Sequence, residues 1–454
     1  MSNFRSVDRG TAYLLPPSVD EWLPADHLAR FVVDILEQLD LSRLSNQYRG
    51  SGSQAYHPQM LAALLIYGYA TGTFSSRKIQ QACYDSVAFR FIAANTQPDH
   101  DTLCAFRRRF LPELESLFVQ VLGIAGQMKL LKLGTIGLDG TKVHANASRH
   151  HALSYRRAND IQAQLKREVG ELLARAERTD VTEAKQPLDI PAELARRETR
   201  LAAIAEAKAE IERRAAERTA AEQVVYEAKV AARQQRARDS GKRPGGKPPA
   251  PPSGGVRPTD QVNLTDPESR IMPRSGGGGF EQSYNGQAAV DNESRLIVAT
   301  QLSNSPVDVR QLIPVVDRLR ALPRELGTAD TLLADAGYFS AANVAHCEQQ
   351  GLTPLIARRR DQHYQPWYER HAEPGEPAPD ADAVTRMAYR LKTPAGRTLY
   401  GLRKQLPEPV FGIIKQAMGF RQFLLRGLQK AEGEWRLVAL AYNVRRLAVL
   451  TAPA

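Results

Sequence analysis

The sequence predicts a mixed α/β fold that follows an all-helical region and is interrupted by a helical insertion. Three observations support this prediction. Apolar residues recur at spacings of three and four in residues 57–94, as in amphipathic helices, within a first segment of about 130 residues. Short β-branched stretches broken by glycine begin near residue 134 and return near residue 283, as in strands. Between them lies a block rich in Ala, Glu and Arg, whose apolar residues repeat at heptad-compatible spacings.

The first segment, residues 1–130, is predicted to be a helical DNA-binding domain of helix-turn-helix type. Ser75 or Ser76 can cap a new helix within it, and a later polar turn leads into a short basic helix with Asp101 as its predicted cap. Helix, turn and basic helix are typical of a DNA reader, although a helical bundle with a solvated basic face has the same pattern. The basic helix carries three predicted DNA contacts: Arg107, Arg108 and Arg109.

The α/β part is predicted from strand and helix signals that alternate after residue 130. Asp291 and Asn292 indicate a hairpin turn, and Asp308 is predicted to cap the next helix. The predicted strands lie within residues 134–148 (one ending at Asp139, with a second short one after the glycine), 283–303, 331–337 and 352–358. The predicted helices cover residues 308–321 and the segment that Glu408 opens, and Trp435 begins a later apolar helix that should pack on the core. Three residues of the Glu408 segment are predicted to be core: Phe411, Ile414 and Met418.

The block at 150–256 is predicted to be a helical hairpin with coiled-coil character, inserted into the α/β domain. It ends in a Pro-, Gly- and Lys-rich linker, and a second, acidic linker follows later. The predicted organisation is therefore a helical domain at 1–130, the first strands of the core at 131–149, the insertion at 150–256, the core continued at 257–372, a linker at 373–383 and the rest of the core, with the Glu408 helix, at 384–454.

Charge and composition narrow the class of partner. The chain has 61 basic and 50 acidic residues, a formal charge of +11 and a pI near 9.5. This balance favours a polyanion, either nucleic acid or an anionic membrane surface. No apolar run reaches the roughly 18 residues of a membrane helix, and the N-terminus lacks a signal-peptide core, so we expect a cytoplasmic protein. Three separated cysteines fit a reducing compartment and disfavour a zinc site or disulfides.

Three carboxylates occupy unusual places. Asp139 and Asp335 each end an apolar strand and precede a glycine or an Ala-Gly pair, while Glu408 opens a helix. Ligand sites in α/β sheets gather at strand ends, and oxygen-only ligation indicates Mg²⁺ or Mn²⁺ rather than zinc. Each residue also has a structural alternative. Asp139 could be a turn residue, Asp335 a helix cap, and Glu408 a favourable charge at the positive end of its helix.

Several segments resemble the DDE-type insertion-sequence transposases of bacteria. They are GLDGTKVHANAS at 137–148, TDPESRIM at 265–272, SYNGQAAVD at 283–291, LLADAGYF at 332–339 and EPVFGIIKQAMGFRQFLLRG at 408–427, with YHPQMLAALLIYGYATGTFSSRKI at 56–79 and DHDTLCAFRRRF at 99–110 in the DNA-binding region. The resemblance implies an RNase H-like catalytic core. It also implies that Asp139, Asp335 and Glu408 hold two Mg²⁺ ions, for which Mn²⁺ can substitute.

The family carries a Tyr, Arg, Glu, Lys signature around the glutamate. Tyr400, Arg403, Glu408 and Lys415 fill those roles here, with one extra residue between Arg403 and Glu408. On a regular helix Lys415 would lie two turns after Glu408 and almost on the same face, where it could contact a DNA phosphate. Further basic residues of this segment are predicted DNA contacts: Arg421 and Arg426.

The resemblance implies a transposase that binds terminal inverted repeats, cleaves the element ends and joins the freed 3′-OH to target DNA. Its partners would be double-stranded DNA and, for synapsis of two ends, a second copy of the chain. In a bacterium it would act in the cytoplasm, at the nucleoid. Two alternatives share the fold: a metal-dependent nuclease that cuts without joining, and a domesticated DNA-binding protein without activity.

Overall fold

The structure is a computed structural model that describes residues 18–48, 55–181, 190–241, 245–274, 277–358 and 375–452. The first two residues of the predicted acidic linker, 373 and 374, lie outside these ranges. The chain forms two compact units: Met1–His144 with Tyr284–Ala454, and Ala145–Ser283. Among the described residues, no helix is both long and apolar enough to cross a membrane.

The N-terminal part of the first unit is helical. Apolar side chains cover nearly the whole circumference of its central helix α4, which is consequently buried on all sides. The basic helix α7 begins at His100, because the side chain of Asp99, and not that of Asp101 as predicted, accepts a hydrogen bond from Thr102 N at 2.7 Å. The helices are α1 Val19–Trp22, α2 Leu28–Glu37, α3 Ser42–Ser45, α4 Pro58–Thr71, α5 Ser76–Asp85, α6 Val87–Ile92, α7 His100–Phe110 and α8 Leu114–Gln127.

Five strands of a six-stranded mixed sheet form the centre of the first unit, and the sixth, Arg270–Pro273, pairs with residues 280–283 within the second unit. The five are β1 Leu133–His144, β5 Phe280–Asp291 (whose first four residues belong to the second unit), β6 Ile297–Ser303, β7 Gly327–Ala334 and β8 Thr353–Ile356, in the order β6-β5-β1-β7-β8. Strands β5 and β6 are antiparallel, whereas β7 is parallel to both β1 and β8. Thr135 O accepts from Asn292 N, and a Cβ at Gly140 would touch Gln287, so β1 and β5 run antiparallel.

Helices flank this sheet, as expected for an RNase H-like core. They are α11 Leu312–Arg320, α12 Ala341–Gln349, α13 Ala383–Lys392, α14 Pro394–Gly401, α15 Pro407–Gly412 and α16 Leu428–Thr451. The last helix packs on β6, α4 and α8. Trp435 of α16 is fully buried, as its sequence pattern predicts, and its indole N–H donates to Gln287 O at 3.0 Å. The predicted fold class, a mixed sheet with flanking helices after a helical region, is confirmed.

The second unit contains two long helices and short strands. Its elements are β2 Ala152–Ser154, α9 Tyr155–Val181, α10 Ile190–Ser240, β3 Gln261–Asn263 and β4 Arg270–Pro273. Helices α9 and α10 lie against each other through an apolar seam that includes Leu165, Ile204 and Ile211. Arg218 of α10 makes two hydrogen bonds to the Asp260 carboxylate, both at 2.9 Å, which ties the long helix to the returning chain.

Candidate active site

The two predicted aspartates follow paired residues of neighbouring parallel strands. Leu138 of β1 pairs with Ala334 of β7, and Asp139 and Asp335 come next in each strand. Strand β7 ends there, but β1 continues to His144 beside β5. The prediction that Asp139 ends its strand is therefore wrong. The parallel pairing nevertheless stops at this point, because β7 ends there, and the Asp139 carboxylate lies where the pairing stops.

Asp139 lies in a crowded and partly dry environment. Gly140 N donates to its Oδ1 at 2.8 Å. Burial raises the pKa of the Asp139 carboxyl to about 6; the Gly140 N–H opposes this rise, Asp335 and Asp308 add to it, and the Arg403 guanidinium opposes it. Carboxylates that raise one another's proton affinity in this way can be ionised together when a cation joins them.

Asp335 begins the turn after β7. Its Oδ1 accepts from Gly337 N at 2.8 Å. Asp335 therefore acts as a cap, which is the alternative that the sequence offered, but it caps only the short 3-10 turn Ala336–Tyr338. Tyr338 is buried, and its hydroxyl donates to Gln287 Oε1. Burial raises the pKa of Tyr338 well above its usual range, and the charges of Asp308, Asp139 and Asp335 raise it further. The Tyr338 hydroxyl therefore lies within the field of all three carboxylates.

Glu408 lies in the first turn of α15 and is exposed. Among the described residues, no hydrogen bond or ion pair joins Glu408 to Asp139 or Asp335. Its helix is nevertheless anchored to both strands through Leu406, which packs on Leu333 of β7 and closes onto Gly137 of β1. The structure thus brings the two aspartates together and places the start of the glutamate helix over their strands.

Arg403 faces the acidic edge, which is the end of the β1–β7 pairing that carries Asp139 and Asp335, despite the extra residue between Arg403 and Glu408. Its guanidinium carbon is 5.9 Å from the centre of the Tyr400 ring, and its charge reaches Asp139. The extra residue is absorbed by a 3-10 turn, Leu402–Gln405, between α14 and α15. Among the described residues, Arg403 Nε is buried without a hydrogen-bond partner. Burial raises the pKa of the Tyr400 hydroxyl, with a smaller opposing effect of Arg403.

Lys415 follows a change of helix type. Helix α15 ends at Gly412 and continues as one π turn, Ile413–Ala417, so the regular α-helical spacing expected between Glu408 and Lys415 is not kept. Lys415 Nζ donates to Lys142 O of β1 at 2.9 Å. Burial lowers the pKa of Lys415, and the charge of Lys142 lowers it further. The residues predicted as core on this segment are buried: Phe411, Ile414 and Met418.

Asp308 is a member of the acidic edge that sequence reasoning missed. Its side chain was predicted to cap a helix, but it accepts from Asn285 Nδ2 at 2.6 Å and Gln287 Nε2 at 3.0 Å. Both amides are fully buried on β5. A signal was present in the sequence, because two amides at alternate positions of an apolar strand point to the same face and need polar partners.

The donor chemistry of this edge suits a hard divalent cation. Carboxylate and amide oxygens of the described residues converge at this edge, and they are the ligands that Mg²⁺ prefers. The Asn285 Oδ1 atom is fully buried and has no hydrogen-bond partner within the described chain. No three His, Cys, Asp or Glu side chains of the described residues already close around a point as a metal cage. The oxygens at this edge therefore suit Mg²⁺ or Mn²⁺ in their chemistry, although they do not form a closed set of ligands.

The predicted DNA-contacting arginines fall into different environments. Arg107 is 6% exposed, and its Nη1 donates to Tyr69 Oη and Phe74 O, each at 3.1 Å, so its prediction as a DNA contact is wrong. Arg108 and Arg109 are exposed, and Arg109 Nε donates to Gln47 Oε1 at 3.1 Å. The arginines after α15 are also exposed: Arg421, whose Nε donates to Lys415 O at 3.1 Å, and Arg426.

Two family models match the chain. Residues 258–444 match the family described as Transposase DDE domain, and residues 17–109 match Transposase domain (DUF772). The first match contains Asp335, Glu408 and the signature around them, whereas Asp139 precedes it. No curated protein and no solved structure matched the chain. Two transposase families thus match more than half of the chain, one in its helical part and one in its sheet, and the chain belongs to the DDE-type insertion-sequence transposases.

Proposed function

We propose that this transposase binds the terminal inverted repeats of its element, cleaves the ends by phosphodiester hydrolysis and joins the freed 3′-OH ends to target DNA. The observation that carries the proposal is the pairing of β1 with β7, which ends at Leu138 and Ala334 and leaves Asp139 and Asp335 side by side. Neighbouring strands lie about 4.8 Å apart, so these carboxylates can share a cation.

Asp139, Asp335 and Glu408 are the residues that would hold two Mg²⁺ ions, or Mn²⁺ in their place. When bound, these ions would activate the attacking oxygen and neutralise charge at the phosphorus. Leu406 fixes the start of α15 on β1 and β7, and the exposed side chain of Glu408 would be the part that moves to join the aspartates on a cation. Arg403 counters the negative charge at Asp139.

Basic side chains around this edge would hold the DNA backbone. Lys415 Nζ bonds to the carbonyl of Lys142, which lies on β1 three residues after Asp139. Nothing lies within 4 Å of a Cβ added to Gly412, so a DNA backbone could approach there. Because phosphate contacts release counterions, each cation lost should weaken binding and reduce its salt dependence. The predicted contacts are Lys415, Arg403, Tyr400, Arg421 and Arg426, with Arg108 and Arg109 in the helical domain. Synapsis of two ends would use a homodimer, acting at the nucleoid in the cytoplasm.

The test is a joining assay with the full-length protein. The DNA that flanks the reading frame is expected to carry matching inverted repeats. A labelled oligonucleotide with one of these repeats serves as the element end. With Mg²⁺ and a plasmid target, we expect both a cleaved end and a joined product. Cleavage without joining would identify a nuclease, and binding without cleavage a domesticated DNA-binding protein.

Three variants test the site assignment in the same assay. Asp335→Asn and Glu408→Gln should abolish cleavage and joining while leaving end binding intact, because both side chains are polar and lie outside the apolar core. Glu325→Gln is the matched control: this glutamate is exposed in the 3-10 turn Arg324–Leu326 before β7, and its loss should change nothing. Unchanged cleavage by Glu408→Gln would remove Glu408 from the site.

A further inference from the structure

The loop that follows β6 brings a fourth carboxylate to the acidic edge. A Cβ at Gly140, directly after Asp139, would lie 2.9 Å from Asp308 Oδ1. A Cβ at Gly337 would lie 2.9 Å from Asp335 Oδ1 and 3.7 Å from Asp308 Oδ2. The two glycines that follow the strand aspartates therefore both face Asp308, and a side chain at either position would fill the space between the carboxylates.

The two oxygens of Asp308 have different surroundings. Oδ1 accepts from Asn285 Nδ2 and Gln287 Nε2, and it lies 3.9 Å from Lys142 Nζ. Within the described part of the chain, no hydrogen bond reaches Oδ2, which is the oxygen on the side of Asp335. Two fully buried amides thus fix the carboxylate through one oxygen and leave the other directed at the acidic edge.

A second polar group points into the same space. Asn285 Oδ1 is fully buried and lacks a hydrogen-bond partner among the described residues, and it would lie 3.0 Å from a Cβ at Gly140. A buried acceptor without a donor is costly unless a cation or a water satisfies it. The orphaned acceptor lies beside Asp139 and Asp308, so a cation held there would satisfy it directly or through a bound water.

We propose that Asp308 is a fourth carboxylate of the divalent-cation site, presenting Oδ2 beside Asp139 and Asp335, and that Asn285 and Gln287 are the positioning residues that hold it there. This inference rests on the proposed function, because it assigns a further ligand to the same site. Asp308 completes the arrangement from the β5–β6 side of the sheet, opposite the β7 side that carries Asp335.

The test measures Mn²⁺ binding to the full-length protein without DNA, by calorimetric titration and by the Mn²⁺-induced rise in melting temperature. Asp308→Asn should weaken Mn²⁺ binding at least tenfold and remove most of the thermal shift. Asp330→Asn is the matched control, because Asp330 is exposed on β7, five residues before Asp335. Gln287→Met, which loses the amide donor to Asp308 without adding a carboxylate, should also weaken Mn²⁺ binding.

Asp308→Glu keeps the charge beside Lys142 but moves the oxygens by one methylene. This variant replaces Asp308→Asn in the test if Asp308→Asn does not fold. A ligand role predicts at least a tenfold loss of Mn²⁺ affinity in this variant, whereas a purely structural role predicts parental affinity. Asp335→Asn separates the two proposals. If it abolishes Mn²⁺ binding and cleavage while both Asp308 variants bind Mn²⁺ like the parent, the inference about Asp308 is wrong and the proposed function stands. If Asp335→Asn changes neither, the proposed function fails as well.

Discussion

Leu406 lies directly on the bare backbone of Gly137, so that a Cβ added to Gly137 would be 2.7 Å from Leu406 Cβ. Leu406 also packs on Leu333, the residue that pairs with Gly137 across β1 and β7. The three contacting residues each stand two positions before a predicted metal ligand: Asp139, Asp335 and Glu408. One apolar contact therefore sets the start of α15 relative to both aspartates.

Gly137→Ala should displace α15 from the sheet. The new methyl group meets Leu406 Cβ at 2.7 Å and Cδ1 at 2.8 Å, far inside van der Waals contact. Overpacking of this kind costs about 1–3 kcal/mol, and we expect a larger effect on cleavage, at least tenfold, because Glu408 moves with its helix. Gly134→Ala is the control on the same strand, since nothing lies within 4 Å of its added Cβ. Parental cleavage by Gly137→Ala would contradict this account.

Asp139→Asn should stabilise the metal-free protein at neutral pH. The pKa of this carboxyl rises from 3.8 to about 6 on folding, so the native state binds the proton more tightly than the unfolded chain. That stabilisation is complete below pH 3.8 and is lost as the pH rises through about 6. In EDTA at pH 7 the variant should gain on the order of 1–3 kcal/mol over the parent, and the two should converge near pH 4. Urea denaturation at several pH values measures this, and a constant difference would contradict it.

Cation binding should compete with the same proton. Because Asp139 holds a proton below about pH 6, the affinity for Mn²⁺ should fall by up to about tenfold for each unit of pH below that value and level off above it. Titration of the parent protein from pH 5 to pH 8 checks this dependence. The pH midpoint should appear in the Mn²⁺ affinity itself, measured without DNA. A midpoint seen only in the cleavage rate, which also depends on DNA binding, would contradict this account.

Arg107 and Arg108 are adjacent in sequence but should respond differently to substitution. Arg107 donates to Tyr69 Oη, and that hydroxyl donates to the buried Glu434 at 2.6 Å. Arg107→Met leaves this carboxylate without its cation and should cost about 3–5 kcal/mol of stability. Arg108→Met should leave stability within about 0.5 kcal/mol and instead weaken DNA binding. Denaturation curves and end-binding titrations distinguish the two, and a stable Arg107→Met that fails only in DNA binding would restore Arg107 as a contact.

Lys415→Met should weaken binding to the element end and lower the slope of log affinity against log salt by about 1. The reason is its position beside β1, near the predicted cleavage site. Lys132→Met serves as the control, because Lys132 is exposed just before the opposite end of β1. Fluorescence anisotropy at several salt concentrations gives both slopes. Equal slopes for Lys415→Met and the parent protein would contradict a phosphate contact.

The sequence alone predicted the fold class and singled out Asp139 and Asp335 as candidate ligands, because both depend on local signals. An apolar strand followed by a carboxylate and a glycine can be recognised without knowing its neighbours. Trp435 and the buried residues of the Glu408 segment were predictable for the same reason, since their periodicity reports the apolar face directly.

The errors arose where long-range contacts decide a residue's role. Asp308 has the local pattern of a cap, but its partners, Asn285 and Gln287, lie on another strand. Arg107 belongs to a basic run, yet its side chain is buried, where it donates to Tyr69 Oη and is attracted by the charge of Glu434. The length of β1 was misjudged because β5, more than 130 residues later, pairs with it past the glycine. None of these partners is visible within a local window.

The position of the second unit in the chain has a consequence for biosynthesis. Strand β1 leaves the ribosome before α9 and α10, yet its neighbour β5 is translated only after both of them. Within the second unit, Ala145 N donates to Gln282 O at 2.9 Å, so the ends of the unit meet once it has folded. Early folding of α9 against α10 would replace a long loop by a closed one and lower the entropic cost of joining β1 to β5. The central sheet can accordingly be completed only after α10 has been translated, and a nascent chain stalled before β5 should hold α9 packed against α10 while the sheet is unfinished.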